Sequence, residues 1–480
     1  MNNLQVRCIK MTVILGGGIS GLSAAYYALE NPRISSMVLL EASNRVGGWI
    51  CSNKSPNGAI FEQGPRTVRP RGPGGKNTLE LIDRLKLTEK LIPIVSSHPA
   101  ARNRLIYAEN KLHLLPNNLK SLFVKNSPFD RPLISILMND IKAPRISKED
   151  ESIYSFVERR LGKDVADNLI SPMICGICAG DAKQISVNFL MPSLFEAEQK
   201  HGSIAKGLLM NRVNQMFATK TKVIEVSGSG TAEMARKNKW AIWGLKDGLE
   251  QLPRTLADNL KSRGLDIRLG NRCERLTFKP GYVELTINGE TDKYSRIVSS
   301  IAAKNLAQLV RRQHPQLARE LEAIPTVTVA VVNIQFSGNV LPMQAFGFLV
   351  PPKENLPILG VIFDSCVFPH ETDTVLTVMM GGAWFEKNFG ECPSKDEILR
   401  VAVESAKKIL GIKESPVAHK VTILRDCIPQ HVVGHKQRLN RIHNYISAHG
   451  LPLALCGSSY QGVGLNDVIL SAKHAVSDIS

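Results

Sequence analysis

Met11-Thr-Val-Ile-Leu15 runs directly into Gly16-Gly-Gly-Ile-Ser-Gly21, then into Leu22–Leu29, and a second apolar run, Met37–Leu40, ends in Glu41. The first run has strand length. The Ala- and Leu-rich segment after Gly21 predicts a helix, and Met37–Leu40 predicts a second strand. A G-x-G-x-x-G turn between a strand and a helix is built for a dinucleotide pyrophosphate. Gly16 permits the tight turn, Gly18 lets the backbone approach the pyrophosphate, and Gly21 lets the helix pack on the strand. The diphosphate then faces free N–H groups at the positive end of a helix dipole. Glu41 lies 20 residues beyond Gly21, where an acid meets a ribose hydroxyl. The competing explanation is a glycine-rich turn without a ligand, and the strand, helix and acid together argue against it.

Around this stretch the chain has the make-up of a globular protein. Its 480 residues leave room for about three domain-sized units. Apolar residues make up 43% and charged residues 21%, which excludes a disordered or fibrous chain. No run approaches the ~18 apolar residues of a spanning helix; Thr326–Ile334 and Leu451–Cys456 have strand length. Nine cysteines are too sparse for a disulfide scaffold and read as reduced thiols. The net charge of +17 favours an anionic partner. With no dense Lys/Arg block, zinc-finger spacing or aromatic RNA-binding signature, nucleic acid is not expected. Two regions are locally basic, Arg66–Lys76 and Arg102–Arg145, and the second interleaves its charges with Leu114-Leu115, Leu122–Val124 and Leu133–Met138. That pattern fits a segment seated in a lipid interface and equally a solvated helical subdomain with its own core. Met1–Lys10 lacks the apolar core of a secretory signal.

The residues after Glu41 separate flavin from nicotinamide. A nicotinamide domain would continue with a further strand–helix repeat. Here Arg45-Val-Gly-Gly-Trp49 comes next, and Gly64-Pro-Arg66 after it. This is similar to the flavin-binding superfamily that contains the monoamine oxidases. At the other end, Leu453–Cys456 predicts a strand, Gly457–Ser459 a turn, and Gly462-Val-Gly-Leu-Asn466 the opening of a last helix. A helix N-terminus there would stabilise negative charge on a reduced ring.

The match then narrows. LGGGISGL at 15–22, Gly47–Trp49, PNGAIFEQGPR at 56–66, HPAARNR at 98–104, PSLFEAEQ at 192–199, VAVVN at 329–333, TVMMGGAW at 377–384, Cys427–Gln430 with Gly434-His435, and Gly457–Asp467 span the chain. On these residues the chain resembles the oxygen-dependent, mitochondrial-type protoporphyrinogen oxidase family. The first motif is common to related flavoproteins; PNGAIFEQGPR and PSLFEAEQ are far more specific. The resemblance implies an α/β fold: a Rossmann-like FAD-binding fold of the amine-oxidase type, with an inserted substrate domain and a helical membrane-binding domain. It places the FAD domain at 1–95, 240–300 and 425–480, the helical domain at 96–205, and the substrate domain at 206–239 and 301–424. It implies six-electron oxidation of protoporphyrinogen IX to protoporphyrin IX, with dioxygen reduced to hydrogen peroxide. It also implies a homodimer on the outer face of the mitochondrial inner membrane that hands product to ferrochelatase. The membrane reading of the basic segment gains from it.

The same resemblance assigns residues. Non-covalent FAD would be held by Gly16, Gly17, Gly18, Ile19, Ser20, Gly21, Glu41, Ala42, Trp49, Gly64, Pro65, Arg66, Thr67, Cys273, Val463, Gly464 and Leu465. Phe346, Leu349, Met379 and Gly176 would wall the tetrapyrrole; from pattern alone the first three are ordinary core. Arg66 and Arg104 are the propionate candidates, Arg66 the stronger, because guanidinium pairs bidentately with carboxylate. No acid–base dyad and no metal spacing stands out. Cys175-x-x-Cys178 lacks a second ligand pair for zinc. Two residues depart from common family patterns: Cys175, where many animal relatives have Arg, and His431, where an aromatic is usual. Lys200–Lys239 matches poorly and reads as a variable loop with a helix. The alternatives are a flavin amine oxidase and a non-catalytic carrier that keeps the FAD fold.

Overall fold

The computed structural model describes residues 11–34, 36–117, 123–210, 230–368, 373–477 and 479; Met1–Lys10, Leu122 and 211–229 of the expected loop at 200–239 lie outside them. Met11–Leu15 is the middle strand of a five-stranded parallel sheet, ordered Leu453–Leu455, Arg296–Ser299, Met11–Leu15, Ser36–Leu40, Asp266–Arg268. Met11–Leu15 and Ser36–Leu40 read as nearly continuous apolar runs because both faces are covered, whereas the edge strand Asp266–Arg268 is largely exposed. Ile14, Leu39 and Val298 face helices Ile19–Ala28, Gly72–Arg84, Gln251–Ser262 and Leu465–Ser477. Val13, Leu15, Val38, Leu40 and Ile297 face the opposite layer, made by a three-stranded sheet (273–294) and helices Ala303–Val310, Pro315–Glu322 and His435–Ala448.

A seven-stranded sheet stands beside it, in the order Ala418–Pro429, Thr326–Phe336, Thr374–Gly382, Ile358–Phe363, Gly347–Leu349, Leu105–Ala108, Lys111–Leu114. Strand side chains alternate between faces. Ala330, Val332, Val378, Met380 and Phe348 bury themselves under helix Lys395–Leu410. Val329, Val331, Leu359 and Met379 face the other way, toward Cys175 and Ala179. Those two belong to a helical unit, Leu133–Lys142 to Pro192–His201, with a core of its own around Phe156, Ile174 and Phe195.

Three boundaries differ from the sequence-based expectation. Leu105–Leu114 joins the seven-stranded sheet by parallel pairing of Phe348 with Leu105, so the helical unit starts later than 96. Strand Ala418–Pro429 runs through the expected break at 424. Helices Ala303–Val310 and Pro315–Glu322 pack on the nucleotide sheet, not on the substrate sheet. Pairing register and buried stripes set these borders, and composition carries neither. The first helix also starts earlier, at Ile19.

Candidate active site

The glycine turn has the geometry its spacing predicts. Gly16 takes φ +103°, and a Cβ on Gly21 would strike the Gly16 carbonyl oxygen. Gly18 caps helix Ile19–Ala28 with no side-chain cap and no acid in the first turn, so the helix presents its N-terminus bare. Gly18 and Gly48 face each other: a Cβ on Gly18 would meet only the Gly48 Cα, at 3.9 Å. The Gly47 amide donates to the Gly17 carbonyl at 2.9 Å. Two backbones thus make an open cleft at a helix N-terminus, and these residues fit a pyrophosphate. Glu41 accepts from the Gly17 amide at 2.6 Å and from Ser43, so its carboxylate stands at the mouth of the turn. Ala42 is exposed beside it, and Cys273 begins the strand just after Asn271, whose amide donates to the Glu41 carbonyl.

The second half of the cradle comes from both ends of the described chain. Gly64 lies against Trp49, where any Cβ would strike the Trp49 carbonyl. Trp49 and Pro65 are exposed and Thr67 is half-buried. Helix Leu465–Ser477 brings Val463 and Gly464 alongside: the Asn466 side-chain amide donates to the Arg69 carbonyl at 2.8 Å, and a Cβ on Gly74 would press on Asn466. Glu62 is buried under this segment. It accepts from Ser52 and from the Leu249 amide, and burial pushes its carboxyl up to about 7.

The wall residues converge. A Cβ on Gly176 would lie 2.9 Å from Leu349 Cδ2, and one on Gly360 would lie 3.1 Å from the same atom. Met379 is the register partner of Gly360. Gly176 and Ile177 are exposed on a helix whose Ile174, Cys175 and Cys178 are buried. Phe346 packs with Ile94, Ala100, Ile242 and Val367, its amide is bonded to the Asn103 carbonyl, and the Arg104 guanidinium lies 4.0 Å from its ring centroid.

The two propionate candidates are not equivalent. Arg66 is 5% exposed and its guanidinium is bound to Asp364 at 3.0 Å. Arg104 is half-buried and has no ion-pair partner among the described residues; burial, and then Arg69 nearby, pull it down to about 10. Arg66 is thus already paired within the protein, whereas Arg104 has no carboxylate beside it among the described residues. Asp364 was not legible, because its meeting with Arg66 spans 298 residues. Arg69 was visible only as a member of a basic run.

Cys175 and Cys178 are free thiols, and burial pushes both up, Cys178 to about 11, so neither is a ready nucleophile. Among the described residues no His/Cys/Asp/Glu group could hold a metal ion. His431 is buried with its Nε2 donating to the Ser458 carbonyl at 2.9 Å, so it supports the turn before the last helix. Its ring is 4.4 Å from those of Phe189 and His435. Burial holds His431 at about 4 and His435 at about 3, so both are neutral.

Known proteins share this arrangement. Residues 19–480 match the model of flavin containing amine oxidoreductases. The chain is 39% identical over 473 residues to human protoporphyrinogen oxidase, covering 97% of each. It is 33% identical to the Schizosaccharomyces pombe protoporphyrinogen oxidase, covering 95% of this chain and 96% of that one. A crystal structure of a candidate protoporphyrinogen oxidase from Exiguobacterium sp. 255-15 superposes with a TM-score of 0.77 at 25% identity, covering 98% of both chains. A glycine cradle that fits a dinucleotide, beside an apolar slot, is thus set in an FAD-dependent oxidoreductase. The chain belongs to the flavin containing amine oxidoreductases and, within them, to the protoporphyrinogen oxidase family.

Proposed function

We propose that this protein oxidises protoporphyrinogen IX to protoporphyrin IX in haem biosynthesis, with dioxygen as acceptor and hydrogen peroxide as product. The observations that carry the reading are the Arg104 guanidinium on Phe346, with no ion-pair partner among the described residues, and the apolar group of Gly176, Leu349 and Met379. A flat, apolar tetrapyrrole with two propionates asks for such apolar walls, with few cations to orient it.

FAD would be held without a covalent bond by Gly16–Gly21, Glu41, Ala42, Trp49, Gly64–Thr67, Cys273 and Val463–Leu465. When bound, it supplies the hydride acceptor and the route of electrons to dioxygen. The chain's own part is positional. Arg104 holds a propionate, Leu349 and Met379 press on the ring, and Gly176 lets the macrocycle lie close to the helix backbone. The apolar wall keeps bulk water from the reacting carbon. No side chain is assigned as acid or base, and the pyrrole N–H proton leaves to solvent.

The protein would work as a homodimer on a membrane surface, at the intermembrane-space side of the mitochondrial inner membrane, passing product to ferrochelatase. The membrane part is supported by surface composition: ten of the eighteen exposed large hydrophobics among the described residues fall at 123–210, including Phe123, Met138 and Leu209. No described helix is long and apolar enough to cross a membrane, so attachment would be peripheral.

The test is anaerobic mixing of holoenzyme with protoporphyrinogen IX. The yellow absorbance should bleach, and porphyrin fluorescence should grow in when air is admitted. Bleaching by tyramine or a polyamine, and none by the tetrapyrrole, would replace this reading with an amine oxidase; a protein that takes up no flavin would make it a carrier.

A further inference from the structure

Arg66 reaches the candidate site with its charge already spent. Its Nη1 donates to both Asp364 oxygens, at 3.0 and 3.3 Å, and its Nη2 reaches the Gly64 carbonyl at 3.4 Å. Thr377 Oγ1 donates to the second Asp364 oxygen at 2.6 Å. Asn333 Nδ2 donates to Thr377 Oγ1 at 2.8 Å and to the Glu62 carbonyl at 3.0 Å. The path therefore leaves the 62–66 segment at Gly64, crosses Arg66, Asp364, Thr377 and Asn333, and returns to that segment at Glu62. All four side chains are buried.

Its course links two domains. Asn333 and Thr377 are register partners on neighbouring strands of the seven-stranded sheet, and Asp364 comes directly after the next strand, Ile358–Phe363. Thr377 lies two residues before Met379, on the same strand face. The ring of bonds thus bolts the segment assigned to the flavin onto the strand assigned to the substrate wall. Apart from Asn333 Oδ1, which has no partner among the described residues, the hydrogen bonds of this buried network hold the two segments in one geometry.

We propose that Asp364 is a positioning residue for the oxidation: it keeps Arg66 from serving as a carboxylate ligand and uses it to hold Gly64–Thr67 in register with the Met379 wall. This rests on the proposed function only for what is held in register. A counter-ion fixed by Thr377 does not exchange for an incoming carboxylate without leaving a buried acid unpaired. Carboxylate recognition therefore falls to Arg104.

The experiment uses holoenzyme carrying Asp364→Asn, with Asp364→Glu as the conservative rescue and Arg104→Gln for contrast. Asp364→Asn should shift the flavin absorption envelope and midpoint potential in the absence of substrate. It should also lower kcat about tenfold or more, with KM within about threefold, since misplacement costs rate before affinity. Asp364→Glu should recover part of both effects, and Arg104→Gln should leave the flavin spectrum untouched. An unchanged spectrum and potential in Asp364→Asn would overturn the proposal. So would a KM raised about tenfold with kcat unchanged, which would make the Arg66–Asp364 pair a binding element and not a positioning one. Should Asp364→Asn not fold, Thr377→Val removes two bonds of the ring, keeps the ion pair and is read by the same criteria. Because the spectral arm needs no substrate, it stays readable if protoporphyrinogen IX fails to reduce the wild-type flavin, a result that would count against the proposed function alone.

Discussion

Arg66 and Arg104 are withdrawn from water on opposite terms. Arg66 carries its own carboxylate, clamped by a threonine; Arg104 has an aromatic ring beneath it, a like charge nearby and no acid among the described residues. The first arrangement is complete without a ligand. The second is finished only by an anion from outside. A basic residue in a cleft is thus a binding residue only when the fold leaves it without a partner, and the pairing is what must be inspected.

The contrast is broken most forcefully by removing one side of the completed pair. Arg66→Met leaves Asp364 buried and unmatched, and should cost about 3–5 kcal/mol in urea unfolding. Arg66→Met with Asp364→Leu should regain most of that loss, since a buried pair exchanged for apolar residues is often near neutral. No recovery in the double variant would mean that the pair is not an isolated unit.

His431 sharpens the comparison by burying a base a third way, uncharged. Its folded-state value of about 4 lies below the ordinary 6.5. Between those values the unfolded chain binds more protons, so stability rises with pH across the window and falls as the pH drops from 6.5 towards 4. His431→Tyr should flatten that fall, measured as urea midpoints at pH 7 and pH 4.5, with His435 retaining a share. An unaltered slope would place the sensitivity elsewhere.

Arg104→Gln should raise KM for protoporphyrinogen IX about tenfold, the worth of one charge-assisted hydrogen bond. Its unfolding midpoint should barely move. A midpoint that dropped as far as that of Arg66→Met would erase the distinction between the two arginines. Arg69→Gln should give the smallest change, about twofold in KM and diminishing with salt, because Arg69 is exposed.

How much the sequence made legible depends on which interactions are local. The cradle of Gly16–Gly21 with Glu41 could be read because turn, helix start and acid are set by short spacings. The wall of Gly176, Leu349 and Met379 came only through resemblance, since alternation alone makes Leu349 and Met379 ordinary core. Asp364 and its pairing with Arg66 were missed, because no local pattern announces a partner 298 residues away. The same reason displaced the boundaries at 96, 301 and 424: strand Leu105–Ala108 and helix Ala303–Val310 are assigned by what they bury, not by their neighbours in the chain.

The parallel sheet holds Met11–Leu15 and Leu453–Leu455 on either side of Arg296–Ser299. A ribosome adding about 5–20 residues per second needs roughly half a minute to a minute and a half to deliver the later strand after the earlier one. From the time it is made until that strand arrives, Arg296–Ser299 keeps an open apolar edge, and the helix seat of Leu465–Ser477 stays vacant. The coenzyme cleft is therefore among the last parts of the molecule to mature, and a nascent chain depends on being shielded from aggregation until then.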